Sequence, residues 1–275
     1  MRDELILGAV AYDAKVVPIW EGFRAFFNAN GLPFDFVLYQ NYERQVAAHL
    51  RGDIHVAWNS PLAWLQAERA AGAAGRRAEA IAMRDTDRDL TSVVLVRAGS
   101  GIADVRDLAG RAIGVGAHDS PQATLIPLGL LARHGLEPGR DVEVRRFDVL
   151  VGKHGDHVGG ERDAFAALAS GEAAASAMLD LNWETWTRDG TVDPERYRIL
   201  ATTDRFDHCV FAVRADFPAE LERRWLEVLF SMSYQNPEHR RMMELEGLKE
   251  WLPGRTSGFG PLAEAVEGQR FFESG

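Results

Sequence analysis

The densest run of groups that could do chemistry is DVLVGKHGDHVGGERDA (148–164), which sets Lys153, His154, Asp156, His157 and Glu161 among glycines. Imidazole titrates near neutral pH, so His154 or His157 could act as acid or base, with Asp156 or the later Asp180 as orienting carboxylate. The spacing His154-x-Asp156-His157 also offers nitrogen and oxygen donors to a metal, although no His-Glu-x-x-His helix accompanies it. The glycines permit left-handed backbone and close approach to a ligand. Three readings stand, in order: direct ligand contact, a bland polar loop, and a metal site. No metal or cofactor is expected.

A second constellation is His118-Asp119-Ser120-Pro121-Gln122-Ala123-Thr124. Serine followed by proline is a helix cap with proline at the first helical position. The free N–H groups and dipole of such a helix start favour an anion, and Ser120 and Thr124 add hydroxyls. The same residues also make an ordinary cap, with Asp119 complementing the dipole. Cys209 is the single thiol. It adjoins His208, but neighbouring strand residues point to opposite faces, so a buried structural cysteine is expected.

Those residues need elements to hold them. Short apolar runs alternate with amphipathic segments, the pattern of βα units. Strands are expected at 5–11, 34–39, 54–58, 79–83 and 92–97, with helices at 16–29, 42–50 and from 61 into 70–75. In the first helix Val17, Trp20, Phe23, Phe26 and Phe27 form the apolar stripe. After Gly99-Ser100-Gly101 a second series follows, with strands at 112–115, 142–148 and 174–178 and helices at 104–108, from 120, at 161–170 and near 181–188. Strands at 199–202 and 209–213 and helices at 217–232, 237–246 and 260–272 complete the chain.

At 275 residues the chain can form one large or two ordinary domains. A net charge of -10 argues against non-specific nucleic-acid binding and against an anionic membrane surface. No apolar run reaches the roughly 18 residues of a membrane span, so no membrane insertion is expected. Met1-Arg2-Asp3-Glu4 leads straight into a strand with no leader, which predicts a cytoplasmic place unless a leader lies upstream.

The order of segments resembles the phosphonate-binding proteins of ABC transporters. GDIHVAWNSPLAWLQAE (52–68) is similar to that family's strand–turn–helix, and DLAGRAIGVGAHDSPQATLIPLGLLARHGLEPGRDVEV (107–144) to its second-lobe segment with an anion-holding helix start. DHCVFAVRADFPAELERRWLEVLFSM (207–232) and GLKEWLPGRTSGFGPLAEAV (247–266) are similar to its returning strand and closing helices. The resemblance implies an α/β, type II periplasmic-binding-protein fold. It has two lobes, each with a mostly parallel sheet flanked by helices, and two hinge crossings. Lobe 1 is expected at 1–97 plus 200–275, with lobe 2 inserted at 98–199.

Ligands of open α/β sheets sit beyond the carboxyl ends of the strands, here in an interlobe cleft. The candidate ligand contacts are Tyr12, Tyr39, Tyr42, Trp58, Asn59 and Ser60 from lobe 1. Lobe 2 supplies His118, Ser120, Gln122, Thr124, Lys153, His154, His157, Asp180 and Asn182, and the crossing supplies Asp204 and His208. An ionised Asp119 would repel a phosphonate dianion, and the mixture of carboxylates with Lys153 suits a zwitterion as well as an anion. The expected function is binding of a small anionic or zwitterionic molecule, with ABC transporter components as further partners. The alternative is a cytosolic lyase or decarboxylase using His154, His157, Asp156 and Asp180.

Overall fold

The computed structural model describes residues 4–155 and 159–273. The chain divides into two compact units, Met1–Arg88 with Asp207–Ser257, and Asp89–Phe206 with Gly258–Gly275. The first unit begins β1 (Leu5–Val10), α1 (Val16–Ala29), β2 (Phe34–Tyr39), α2 (Tyr42–Arg51), β3 (Val56–Asn59), α3 (Pro61–Ala73) and β4 (Ala78–Arg84). Local chemistry sets the boundaries. Asn41 Oδ1 accepts from Arg44 N at 3.0 Å to open α2, and Gly52 at φ 88° closes it. Ser60 Oγ accepts from Ala63 N at 3.1 Å, with Pro61 in the first turn of α3.

The second unit continues with β5 (Ser92–Arg97), β6 (Ala112–Val115), α4 (Ile126–Arg133), β7 (Glu143–Arg146), α5 (Glu161–Ser170), β8 (Ala175–Leu179), α6 (Asp180–Arg188) and β9 (Tyr197–Thr202). The chain then returns to the first unit as β10 (Val210–Arg214), α7 (Ala219–Phe230), α8 (Pro237–Glu246) and β11 (Trp251–Pro253). The last helix, α9 (Gly260–Gly268), packs on α4.

The first sheet has the order β11-β4-β10-β3-β1-β2 and the second β7-β6-β8-β5-β9. Among the named strands, parallel pairing is confined to β2-β1-β3 and to β7-β6-β8. The remaining pairs run antiparallel, so the sheets are mixed rather than mostly parallel. Helical crossovers make the parallel pairs, whereas β10 follows β9 with no helix between them.

Pairing also moves the division of the chain away from the expected 97/98 and 199/200. Strand β5, expected in lobe 1, pairs with β8 from Ser92↔Leu179 to Val96↔Ala175, and β9 pairs with β5 on its other side. Both belong to the second unit. So does α9, whose neighbour Gln269 donates to Leu125 O at 2.8 Å.

The core of the first unit is aromatic: Phe27 stacks on Phe34 at 4.7 Å and on Trp225 at 5.7 Å, and Phe211 meets Trp58 at 4.4 Å. Helix α1 feeds it with Val16, Ile19, Trp20, Phe23 and Phe27. Val17, expected in that stripe, is 48% exposed because it stands about 100° round the helix from Val16. The second unit packs Val94, Val96, Ile113, Val115, Leu128 and Leu131 on one face of its sheet, and Leu95, Phe165, Met178 and Trp186 on the other.

Candidate functional site

The polar groups of the second unit gather at the carboxyl ends of β6 and β8. Past β6 the chain makes a π-helical turn over Pro121–Leu125 before α4. Ser120 O accepts from both Thr124 N at 3.2 Å and Leu125 N at 2.9 Å, while Ser120 Oγ accepts from Ala123 N at 3.2 Å. Such turns recur at functional sites because the widened ladder re-aims side chains. Thr124 is 1% exposed, and among the described residues its hydroxyl has no hydrogen-bond partner. Gln122 is buried, and its carbonyl accepts from Ser92 Oγ at 2.6 Å.

The glycine-rich loop is seated on this turn. Asp119 Oδ2 accepts from Gly152 N at 2.6 Å, leaving Asp119 Oδ1 buried and without a partner among the described residues. Asp119 thus ties the loop to the turn. A Cβ on Gly155 would lie 2.5 Å from Ser120 Oγ, and one on Gly160 2.0 Å from Phe147 O, so glycine lets the loop approach the Ser120 side chain and the Phe147 backbone. His154 is 1% exposed and held at φ 55°, a conformation that costs a non-glycine residue energy. Lys153 is half-buried beside it. His118 is exposed, and its backbone N and ring Nδ1 approach Asp148 Oδ1 at 2.8 and 3.2 Å. Asp156 and His157 lie outside the described residues.

Glu161 opens α5 at 0% exposure, and its Oε2 accepts from Leu179 N at 3.0 Å and Asn182 Nδ2 at 2.6 Å. Burial pushes its carboxyl up to about 8 against those two hydrogen bonds, with Asp180 reinforcing the rise. It is therefore a neutral acid at neutral pH, and its Oε1 has no partner among the described residues. Asp180 itself accepts from Thr91 N at 3.0 Å and Thr91 Oγ1 at 2.8 Å, which ties α6 to the segment before β5.

The first unit places its named residues differently. Tyr12 and Tyr39 sit half-buried at the ends of β1 and β2, and burial raises the Tyr39 phenol. Tyr42, expected against ligand, is buried with Val10, Val46, Ala63 and Ala67 because it begins the inner face of α2. Trp58 is core, with the Arg84 guanidinium 5.2 Å over its ring. Asn59 Oδ1 accepts from Gln45 Nε2 at 2.9 Å, its Nδ2 lacks a partner among the described residues, and Ser60 caps α3.

One expectation for the crossing residues is corrected, that His208 and Cys209 point apart. Asp204 is exposed and pairs with Arg133 at 3.0 Å on the surface of the second unit. His208 and Cys209 do meet, Nδ1 to Sγ at 3.1 Å. They precede β10, so strand alternation does not apply to them. Glu161 is visible in the sequence as a carboxylate beside the glycines, but the burial that neutralises it is not.

Residues 11–259 match the model of a family described as ABC transporter, phosphonate, periplasmic substrate-binding protein. The chain is similar in fold to XAC2383 from Xanthomonas citri bound to ATP, with TM-score 0.74 and 18% identity over 98% of each chain. It is similar also to PhnD1 from Prochlorococcus marinus in complex with methylphosphonate, with TM-score 0.70 and 16% identity over 98% of this chain and 99% of that one. A stretch of 31 residues, 11% of this chain, is 61% identical to an uncharacterized protein of Haemophilus influenzae and spans 44% of that protein's length. No helix among the described residues is long and apolar enough to cross a membrane. The lyase or decarboxylase alternative finds no support, since the matched family is one of substrate-binding proteins.

Proposed function

Because the chain belongs to the family of periplasmic substrate-binding proteins of phosphonate ABC transporters, we propose that it holds one small organic anion, phosphonate-like in shape and charge, at the Ser120 turn. The observation that carries this reading is the Thr124 hydroxyl, buried and without a partner among the described residues beside a helix start. Buried polar groups are almost always hydrogen-bonded, and an orphan among backbone N–H groups at a helix start suits an anion's oxygen. Asp119 and the glycines fix the loop that carries Lys153 and His154 to the same turn. On this reading Lys153 supplies the cation and His154 a ring nitrogen to the anion.

Glu161 fits this reading as a neutral acid, since it then adds no negative charge to oppose an anion. The partners on this reading are the membrane components of an ABC transporter. Localisation of the complete reading frame tests the periplasmic place of the family against the cytoplasmic one expected from the sequence.

Thermal unfolding against phosphate, methylphosphonate, alkylsulfonates and amino acids tests the binding itself. Ligand at a hundredfold excess over its Kd stabilises by about 2.7 kcal/mol. One class of tetrahedral anion should raise Tm by several degrees and be recovered intact. A shift with amino acids alone, or none, would refute the anion turn.

A further inference from the structure

A second cluster of reactive side chains lies in the first unit, away from the anion turn. His208 Nδ1 is 3.6 Å from Asp87 Oδ1 and 3.1 Å from Cys209 Sγ. The three residues are at most 3% exposed, and their donor atoms all fall within 4.8 Å of one another. We propose that Asp87, His208 and Cys209 form a binding site for one divalent transition-metal ion of the zinc class.

Two of the separations, 3.1 and 3.6 Å, lie close to those of ligands around a shared ion. A tetrahedral zinc with bonds of about 2.0 Å to nitrogen and oxygen and about 2.3 Å to sulfur keeps neighbouring donors roughly 3.3–3.6 Å apart. Here a carboxylate oxygen and a sulfur converge on the same imidazole nitrogen, which can offer each of them only one proton or lone pair in common. An ion at the centre serves all three. Binding displaces the Cys209 proton to solvent, leaving a thiolate. Three protein donors leave a fourth position for water.

The charges around the cluster balance. Asp87 and the Cys209 thiolate match the two charges of the ion. Arg84 is matched by Glu246, whose Oε1 is 3.4 Å from Nη1. Arg84 also grips Asp87 in a fork, Nε to Oδ2 at 2.6 Å and Nη2 to Oδ1 at 2.8 Å. A carboxylate oxygen has a second lone pair, so this fork orients the ligand without consuming it, as outer partners do at metal sites. His208 N donates to Asp87 O at 2.7 Å, which holds the two ligand segments side by side. The ion would therefore join the segment by which the chain leaves the first unit, at Arg88, to the one by which it re-enters, at Asp207. A donor set of nitrogen, oxygen and sulfur selects zinc or cobalt over magnesium and calcium.

The test uses the full chain, stripped with chelator and titrated with cobalt(II). The expected result is a thiolate-to-cobalt charge-transfer band that saturates at one ion per chain, is displaced by zinc and is untouched by magnesium. Cys209→Ser, close in size to the native residue and checked for folding by circular dichroism, should lose the band and weaken zinc binding by at least about tenfold. Absence of the band in the wild-type chain overturns the proposal whatever the variant does. Undiminished zinc affinity in a folded Cys209→Ser chain overturns it too, because the metal then sits elsewhere.

Discussion

Thr124→Val exchanges a hydroxyl for a methyl of nearly the same size at the anion turn. Thr124 is 1% exposed, and its Oγ1 lacks a partner among the described residues. A buried hydroxyl left unpaired costs about 1–3 kcal/mol, so valine should leave the ligand-free chain as stable as before or raise its unfolding free energy by about 1 kcal/mol. Ligand binding should move the other way. A hydrogen bond to a charged group contributes about 1.5–3 kcal/mol, and its loss weakens affinity roughly 10- to 150-fold. Urea unfolding reads the first effect and titration calorimetry with the anion the second. A variant that binds as tightly as wild type would show that the hydroxyl does not face the ligand. One that loses stability would show that the hydroxyl has a structural partner, and either outcome refutes the reasoning.

Two buried groups should give the chain opposite pH slopes. Glu161, raised by burial from 4.5 to about 8, contributes stability that is full below its ordinary range and lost as pH rises through about 8. Glu161→Gln keeps an acceptor for Leu179 N and should flatten that decline by a few kcal/mol, about 1.4 kcal/mol for each pH unit between the two values; parallel Tm curves for the two chains would count against it. His49, lowered from 6.5 to about 4 by burial and the Arg214 charge, contributes stability that is full above its ordinary range and lost as pH falls through about 4. His49→Leu should remove this acid-side loss, measured as Tm on acidification, and an unchanged slope would contradict the assignment. Gly160→Ala places a Cβ 2.0 Å from Phe147 O at φ 80°. It should cost more than about 1 kcal/mol in urea and reduce anion affinity with it, whereas an unmoved midpoint would mean the loop yields freely.

Much of the fold is legible in the sequence because its signals are local. Ser60-Pro61 opens α3 and Ser120-Pro121 opens the π-helical turn through cap chemistry that involves only residues three apart. Strand membership is less legible. Whether β5 joins the first or second sheet depends on Ser92 meeting Leu179, a pairing across the chain that no local pattern encodes. The same holds at the site. His118 to Thr124 announce a helix start, but only the structure shows Asp119 spent on Gly152 and Asp180 on Thr91. The Asp87–His208–Cys209 cluster is hidden in the sequence because Asp87 lies far from the other two. Alternation would also part His208 from Cys209 if β10 began there, and it begins only at Val210.

The central claim is that this chain binds a tetrahedral anion without transforming it. Titration calorimetry of the full chain with methylphosphonate and with an alkylsulfonate, followed by phosphorus NMR of the recovered phosphonate, tests both halves at once. The account predicts saturable heat at one ligand per chain for at least one of the two anions, reduced in Thr124→Val, with the phosphonate recovered unchanged. No saturable heat with either anion, or consumption of the phosphonate, would contradict it.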